Sequence, residues 1–381
     1  MLKQKQDRLQ HLKNMNLFHD TAEEIQQLRR EINETFIREE VMWKQRSRAL
    51  WMRWGDHNMK FFHAMTTQRQ RHNKIEGLWG ADGAWHEEKE EVEQIILEYF
   101  SEIFSAGHPN IGEASLDAVK LRISTEMNNM LLAECKEAEI KSALNQMHPT
   151  KVPRSEGMPP IFYHKYWDVV EPNVINCVLD ILNSGRMLRS LNETYICLIP
   201  KVKCPQKVTD FRPISLCNII YKIVSKVLAN RLKKILPEVI SEKQSAFIPE
   251  RQIIDNVLVA FEIMHRINQK RNGNECQMAV KLDMSKVYDR VEWAYLEEIM
   301  RKMGFQKKWI SLSMMCVKTM SFSILINGEP RGKIIPTRGL RQGDLISLYL
   351  FLLCAEGLSA SLRDEVKMGK IKGVSVCRGA P

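Results

Sequence analysis

The chain has 381 residues, 44% of them hydrophobic and 27% charged, with a formal net charge of +10. That composition excludes collagen-like, low-complexity and wholly disordered classes and predicts two or three structural units with cores of their own. The charge is uneven: 15 basic and 10 acidic residues fall in 1–80, 8 and 18 in 81–180, and 33 and 18 in 181–381, which suits either a polyphosphate partner or a solubilised surface.

No window holds about 18 uninterrupted apolar residues, and MLKQKQDRLQHLK at the amino terminus lacks the apolar run of a signal peptide. The lack of such a window predicts no membrane partner, and nine dispersed Cys without a CxxC pair predict a reducing, intracellular setting. Along the chain, Ile25, Leu28, Ile32 and Phe36 recur at helical spacing, so 2–50 reads as one or two long amphipathic helices. In 51–74 aromatics interleave with Arg and Lys, a pattern that either stacks and neutralises nucleic acid or tucks against the next domain. GADGAW (80–85) is a turn, 89–104 an amphipathic helix, 137–147 a helix stopped by Pro149, and 151–160 a loop.

Residues 173–184 read as helix and TYICLIPK (194–201) as a strand ending in Lys201. A strong amphipathic helix from Ile219 to Ile235 is ended by Pro237, and another runs over 253–271. QMAVKLD (277–283) is expected to be a short strand ending in a carboxylate, followed by helices at 291–303 and 307–318. SFSILINGEPRGKIIPT (321–337) has a hairpin pattern, RGLRQGD (338–344) is a Gly-bracketed basic loop, and 346–363 is an apolar helix. Interposed strands and helices predict an α+β class.

Asp283, at the expected end of a strand, either holds a hard cation such as Mg²⁺, which prefers oxygen ligands, or caps the following turn. Asp289 could be a second ligand or pair with a basic neighbour. Tyr288 can block a sugar 2′-hydroxyl or simply pack. Lys201 and Arg212 suit a triphosphate, one as a point charge and one as a forked donor, and equally suit an ordinary surface. Gln342, between Gly339 and Gly343, either meets a ligand closely or belongs to a plain turn.

LIPKVK…DFRPISL (198–216), QSAF (244–247), AVKLDMSKVYDRVEW (279–293), SILINGEP (323–330) and GLRQGD (339–344) occur in the order and wording of one family. In these the chain resembles the reverse transcriptase of plant LINE-type (non-LTR) retrotransposons. The resemblance implies a right-hand polymerase in three parts: a helical extension over 1–50, a linker and helical region between endonuclease and polymerase over 51–150, and fingers with the first half of the palm over 151–381.

It implies RNA-directed DNA synthesis with an RNA template, a DNA primer, deoxynucleoside triphosphates and Mg²⁺, in the nucleus, and leaves the oligomeric state open. Asp283 matches the first metal-binding carboxylate and Tyr288 the sugar-selecting aromatic. Lys201 and Arg212 match triphosphate contacts in the fingers, and Arg341 with Gln342 the loop beside nucleotide and template. The family's aromatic-Ala-Asp-Asp turn has no match in residues 1–381. Val287 replaces a small residue, Leu345-Ile346-Ser347-Leu348 lacks two prolines, and Arg154-Ser155-Glu156-Gly157 departs from a Gly-Pro-Asp-Gly loop. The expectation is a truncated copy, inactive as it stands; the alternative is a catalytically dead nucleic-acid-binding remnant.

Overall fold

A computed structural model of the chain describes residues 2–14, 22–47, 59–107, 116–149, 158–269 and 277–373. Two compact units divide between Glu76 and Gly77, rather than at the expected 50 and 150. The first contains α1 (Leu2–Asn14), α2 (Ala22–Ser47) and α3 (Met59–Asn73). Leu12, Ile32 and Phe62 are buried there, whereas Phe36, expected on the same apolar stripe, is 44% exposed. Lys5 and Glu31 join α1 to α2 at 2.7 Å. The aromatic-basic stretch supplies α3 from residue 59; residues 51–58 lie outside those described.

The second unit begins with the two-residue strands β1 (Leu78–Trp79) and β2 (Trp85–His86) around the expected turn, and α4 (Lys89–Phe104) follows. Val92, Ile96, Phe100, Ile103 and Phe104 form its buried face. Short helices α5 (Thr125–Leu132), α6 (Glu137–Asn145) and α7 (Pro160–Lys165) lead to α8 (Trp167–Ser184). The family-departing segment 154–157 lies outside the described residues.

A four-stranded sheet is built from β3 (Glu193–Pro200), β4 (Phe211–Cys217), β5 (Ser321–Ile326) and β6 (Glu329–Ile334), in the order β4-β3-β5-β6. β3 is antiparallel to β4 and parallel to β5, and β5 and β6 are antiparallel. Alternation in SFSILI buries Phe322, Ile324 and Ile326, as a half-buried strand requires. The β5–β6 connection is Asn327-Gly328, both at positive φ (51° and 93°), the conformation of a two-residue hairpin turn. Phe104 packs against Phe322 at 4.9 Å between centroids, and the Phe104 carbonyl accepts from Thr337 and Arg338 backbone N–H groups. These ties join α4 to the sheet.

α9 (Ile219–Val239) is the central helix, capped by the Asn218 side chain, which accepts from the Ile220 N–H. Ile223, Val224, Val227, Leu228, Leu232 and Ile235 are all at most 1% exposed. The helix continues through Pro237 for part of a turn instead of ending before it. One lost N–H near a terminus costs little when the surrounding residues Leu236, Val239 and Ile240 stay buried. Arg231 anchors α9 to α6 through Glu139 at 2.8 Å and donates to the carbonyls of Leu131, Ala133 and Glu134.

α10 (Ile253–Gln269) has no buried residue. Then α11 (Trp293–Met303), α12 (Lys307–Lys318) and, after the sheet, α13 (Leu345–Lys367) complete the domain. α13 is long and apolar enough to cross a bilayer by composition, yet half of its most apolar window is buried inside this domain, where the helix packs on α9 and α11.

One expected strand is not formed. Residues 277–284 have no strand conformation, and Met278, Val280, Leu282 and Met284 are all more than half exposed. Alternation is right for a strand, but a strand exists through bonds to a neighbour. The sheet's edges are β4 and β6, and no described segment pairs with 277–284. The remaining organisation is the α+β mixture expected.

Candidate functional site

Three pieces of backbone are stitched together at one end of the sheet. The first is the β3–β4 connection. Lys201 N–H donates to the Asp210 carbonyl at 2.8 Å, and its exposed ammonium donates to the Thr209 carbonyl at 2.9 Å. Asp210 accepts from the backbone N–H groups of Gln206 and Lys207, which hold its carboxyl below the usual range. Arg212, exposed on β4, lies opposite Ile199.

The second piece is the turn at 286–291, where Lys286 has φ +52° and its ammonium sits 3.9 Å from the centroid of the Tyr99 ring. Burial lowers the Lys286 pKa. Tyr288, half-buried, stacks on Phe351 with centroids 4.7 Å apart, and burial raises its phenol pKa.

The third piece is the loop 338–344. Leu340 N–H donates to Tyr288 O at 2.7 Å, Gly339 N–H to Val291 O at 2.8 Å, and Trp293 Nε1 to Gly339 O at 2.8 Å. Gly339 has φ +94°, and a Cβ there would lie 2.8 Å from the Asp289 carbonyl, so this approach requires glycine. On the loop's other side, Ser215 N–H of β4 donates to Gln342 O at 3.3 Å. Tyr288, Gln342 and the strand of Arg212 are thereby joined through consecutive backbone bonds, and Lys201 acts electrostatically on Asp289 beneath them.

Two expected site residues are not tied into this arrangement by any bond among the described residues. Asp283 is exposed in the irregular segment before the turn and has no hydrogen-bond or ion-pair partner among those described. Arg341 does not face the open side: it is 2% exposed and donates to Asn192 Oδ1 and the Cys316 carbonyl. Its guanidinium also lies 4.0 Å from the centroid of the Tyr221 ring. Gln342, in the turn that follows, is only part-buried, so the two neighbours differ in their access to solvent. Arg341 is a structural anchor.

Asp344 belongs to the same buried cluster. It accepts from Tyr221 OH at 2.7 Å, Ser225 Oγ at 2.5 Å and Ser347 Oγ at 3.0 Å. The loop that carries Gln342 is therefore clamped at both flanking polar residues, which fixes its backbone. Asn192, Tyr221 and Ser225 carry no local signal in the sequence, because their importance depends on who sits opposite. Asp289 does carry one, as a carboxylate six residues after Asp283: it is 3% exposed and accepts from Gln342 Nε2 at 3.3 and 3.4 Å. Burial pushes its pKa up to about 6, against the pull of Gln342, Lys286, Lys201 and Arg290.

Mg²⁺ chemistry needs several oxygen ligands. Among the described residues no group of three or more His, Cys, Asp and Glu could hold a metal ion. Asp283 supplies the right oxygen type as one ligand, while Asp289 is occupied by Gln342. These residues alone do not fit a two-ion centre.

A family model described as "Reverse transcriptase (RNA-dependent DNA polymerase)" matches residues 199–378. The chain is 27% identical over 313 residues to the transposon TX1 uncharacterized 149 kDa protein of Xenopus laevis, covering 82% of this chain and 24% of that protein. It is 22% identical over 274 residues to the retrovirus-related Pol polyprotein from type-2 retrotransposable element R2DM of Drosophila melanogaster, covering 72% and 24%. A 57-residue stretch is 47% identical to the uncharacterized mitochondrial protein AtMg01250 of Arabidopsis thaliana, covering 15% of this chain and 47% of that protein. The chain thus spans 24% of the length of the first two relatives. The matched segment takes in β4, the 286–291 turn and the clamped loop, so residues 199–378 are matched as a reverse-transcriptase domain and are similar to proteins named for transposons and retrotransposable elements.

Proposed function

We propose that this domain serves RNA-directed DNA synthesis in a plant LINE-type element, with an RNA template, a DNA primer and deoxynucleoside triphosphates as its partners and the nucleus as its place of action. The observation that carries this reading is the stitching of Gln342, Tyr288 and the Arg212 strand through Leu340, Gly339 and Ser215 backbone bonds. In it, Lys201 and Arg212 neutralise triphosphate oxygens, Tyr288 crowds the sugar 2′ position, and Gln342 meets the nucleotide. Asp283 would supply one oxygen ligand to a Mg²⁺ ion, whose chemistry there would be to neutralise phosphate charge.

The same reading makes these 381 residues catalytically silent by themselves. One carboxylate leaves two divalent ions in mutual repulsion, and two-ion nucleotidyl transfer needs both the attacking and the leaving oxygen stabilised. A second reading, a nucleic-acid-binding remnant without catalysis, is favoured by the unpaired 277–284 segment on which Asp283 lies.

Primer extension on an RNA template with Mg²⁺ tests both. The expected result is no product above an Asp283→Ala control, together with measurable RNA binding that weakens steeply with salt. Deoxynucleotide incorporation abolished by Asp283→Ala would overturn the silent-chain reading. A folded chain that binds neither RNA nor deoxynucleotide would overturn both.

A further inference from the structure

Asp289 lies beneath the 339–344 loop, and the only side chain bonded to its carboxylate among the described residues is the Gln342 amide. An ionised carboxylate can only accept, so it fixes which end of the amide faces it: the NH2 points inward and the carbonyl oxygen is turned away. A neutral partner such as Asn would satisfy the same amide in either orientation. The chain nevertheless buries a charge here, at 3% exposure, where a neutral residue would fit. The groups facing that charge are Lys286 and Arg290 of its own turn, Lys201 at the end of β3 and Gln342 of the loop. The Tyr99 ring of α4 draws the Lys286 ammonium toward itself. No ion pair with Asp289 within salt-bridge distance is formed by the described residues.

We propose that Asp289 is a positioning residue whose carboxylate holds the Gln342 amide in one orientation, with its oxygen available as a hydrogen-bond acceptor to a nucleotide. The nucleotide half of this statement rests on the function proposed above; the orientation half does not. A buried carboxylate that lowers stability, placed so that its one partner is a residue of the candidate site, is the arrangement expected where orientation matters more than stability.

The test uses the full chain with 15N-labelled glutamine. The Gln342 side-chain NH2 signals, identified by their loss in Gln342→Ala, are expected to shift with pH about a midpoint near 6 in the wild type. They should stay still in Asp289→Asn. A fluorescent deoxynucleoside triphosphate with Mg²⁺ at pH 7.5 supplies the second arm. Asp289→Asn and Gln342→Ala should each weaken its binding by about 3- to 10-fold, the worth of one net hydrogen bond. The double variant should lose no more than either single one. Asp289→Asn should also melt no lower than the wild type, which separates orientation from mere support.

Gln342 signals that titrate unchanged in Asp289→Asn would overturn the proposal. So would tight probe binding in Asp289→Asn alongside weakened binding in Gln342→Ala. A folded wild type that does not bind the probe would remove the nucleotide half and the function proposed for the site, while the titration would still decide the orientation.

Discussion

Two regions of the sheet domain reverse the usual rule about what lies inside. Around 338–347, polar and charged groups are buried: Arg341, Asp344, Ser347 and, across from them, Asn192 and Ser225. Each has a partner of matching chemistry, so their burial fixes a backbone rather than breaking a core. Over 253–269 and 277–284, apolar groups are outside: Ile253, Val257, Leu258, Phe261, Val280 and Leu282 are all more than half exposed. The contrast teaches that patterning selects a local conformation or a face, whereas burial requires a neighbour to cover that face.

The sharpest way to break the comparison is Arg341→Ala. It leaves Asn192 Oδ1 and the Cys316 carbonyl buried with a missing partner and removes the positive charge that acts on the Asp344 carboxylate. Loss of stability is expected at about 3–5 kcal/mol, the scale of a broken buried charge cluster, measured by urea unfolding. A loss below about 1 kcal/mol would make the cluster incidental.

Asp289→Asn should act in the opposite direction. The folded-state pKa of Asp289 is raised from the usual 3.8 to about 6. Its protonated form is therefore favoured by folding, and that contribution is full below about pH 4 and lost as pH rises through 6. A shift of this size corresponds to roughly 3 kcal/mol of destabilisation at pH 8. The variant should be more stable than the wild type at pH 8 and equal to it near pH 4, by thermal melts at the two pH values. A variant less stable at pH 8 would mean that the ionised carboxylate supports the fold.

The smallest expected effect belongs to the exposed region. Leu258→Ala on α10 should change stability by no more than about 0.5 kcal/mol, whereas Ile223→Ala on α9, where the side chain is fully buried, should cost about 2–5 kcal/mol. A large cost at Leu258 would mean that α10 is covered in solution.

Much of the fold was legible because it is local. Periodicity marked α4, α9, α11, α12 and α13 within a few residues, and Asn327-Gly328 marked the hairpin. The ordered motifs marked the reverse-transcriptase domain. What was not legible depends on position in space. Gln342 and Arg341 are neighbours in one motif, yet one lies at the candidate site and the other is buried against Asn192. QMAVKLD alternates like a strand, and only the absence of a pairing segment among the described residues keeps it irregular. Pro237 reads as a stop, but buried neighbours carry α9 past it.

By itself the sequence determined the α+β class, the helices, the hairpin and membership of residues 199–378 in the reverse-transcriptase family. Those follow from dihedral preferences, apolar spacing and residue order, which neighbours in the chain specify. Only the tertiary structure decided which cations are open and which are buried, and which carboxylate touches the Gln342 amide. Desolvation and hydrogen-bond pairing are properties of groups far apart in the chain, such as Arg341 with Asn192, and no local pattern encodes them.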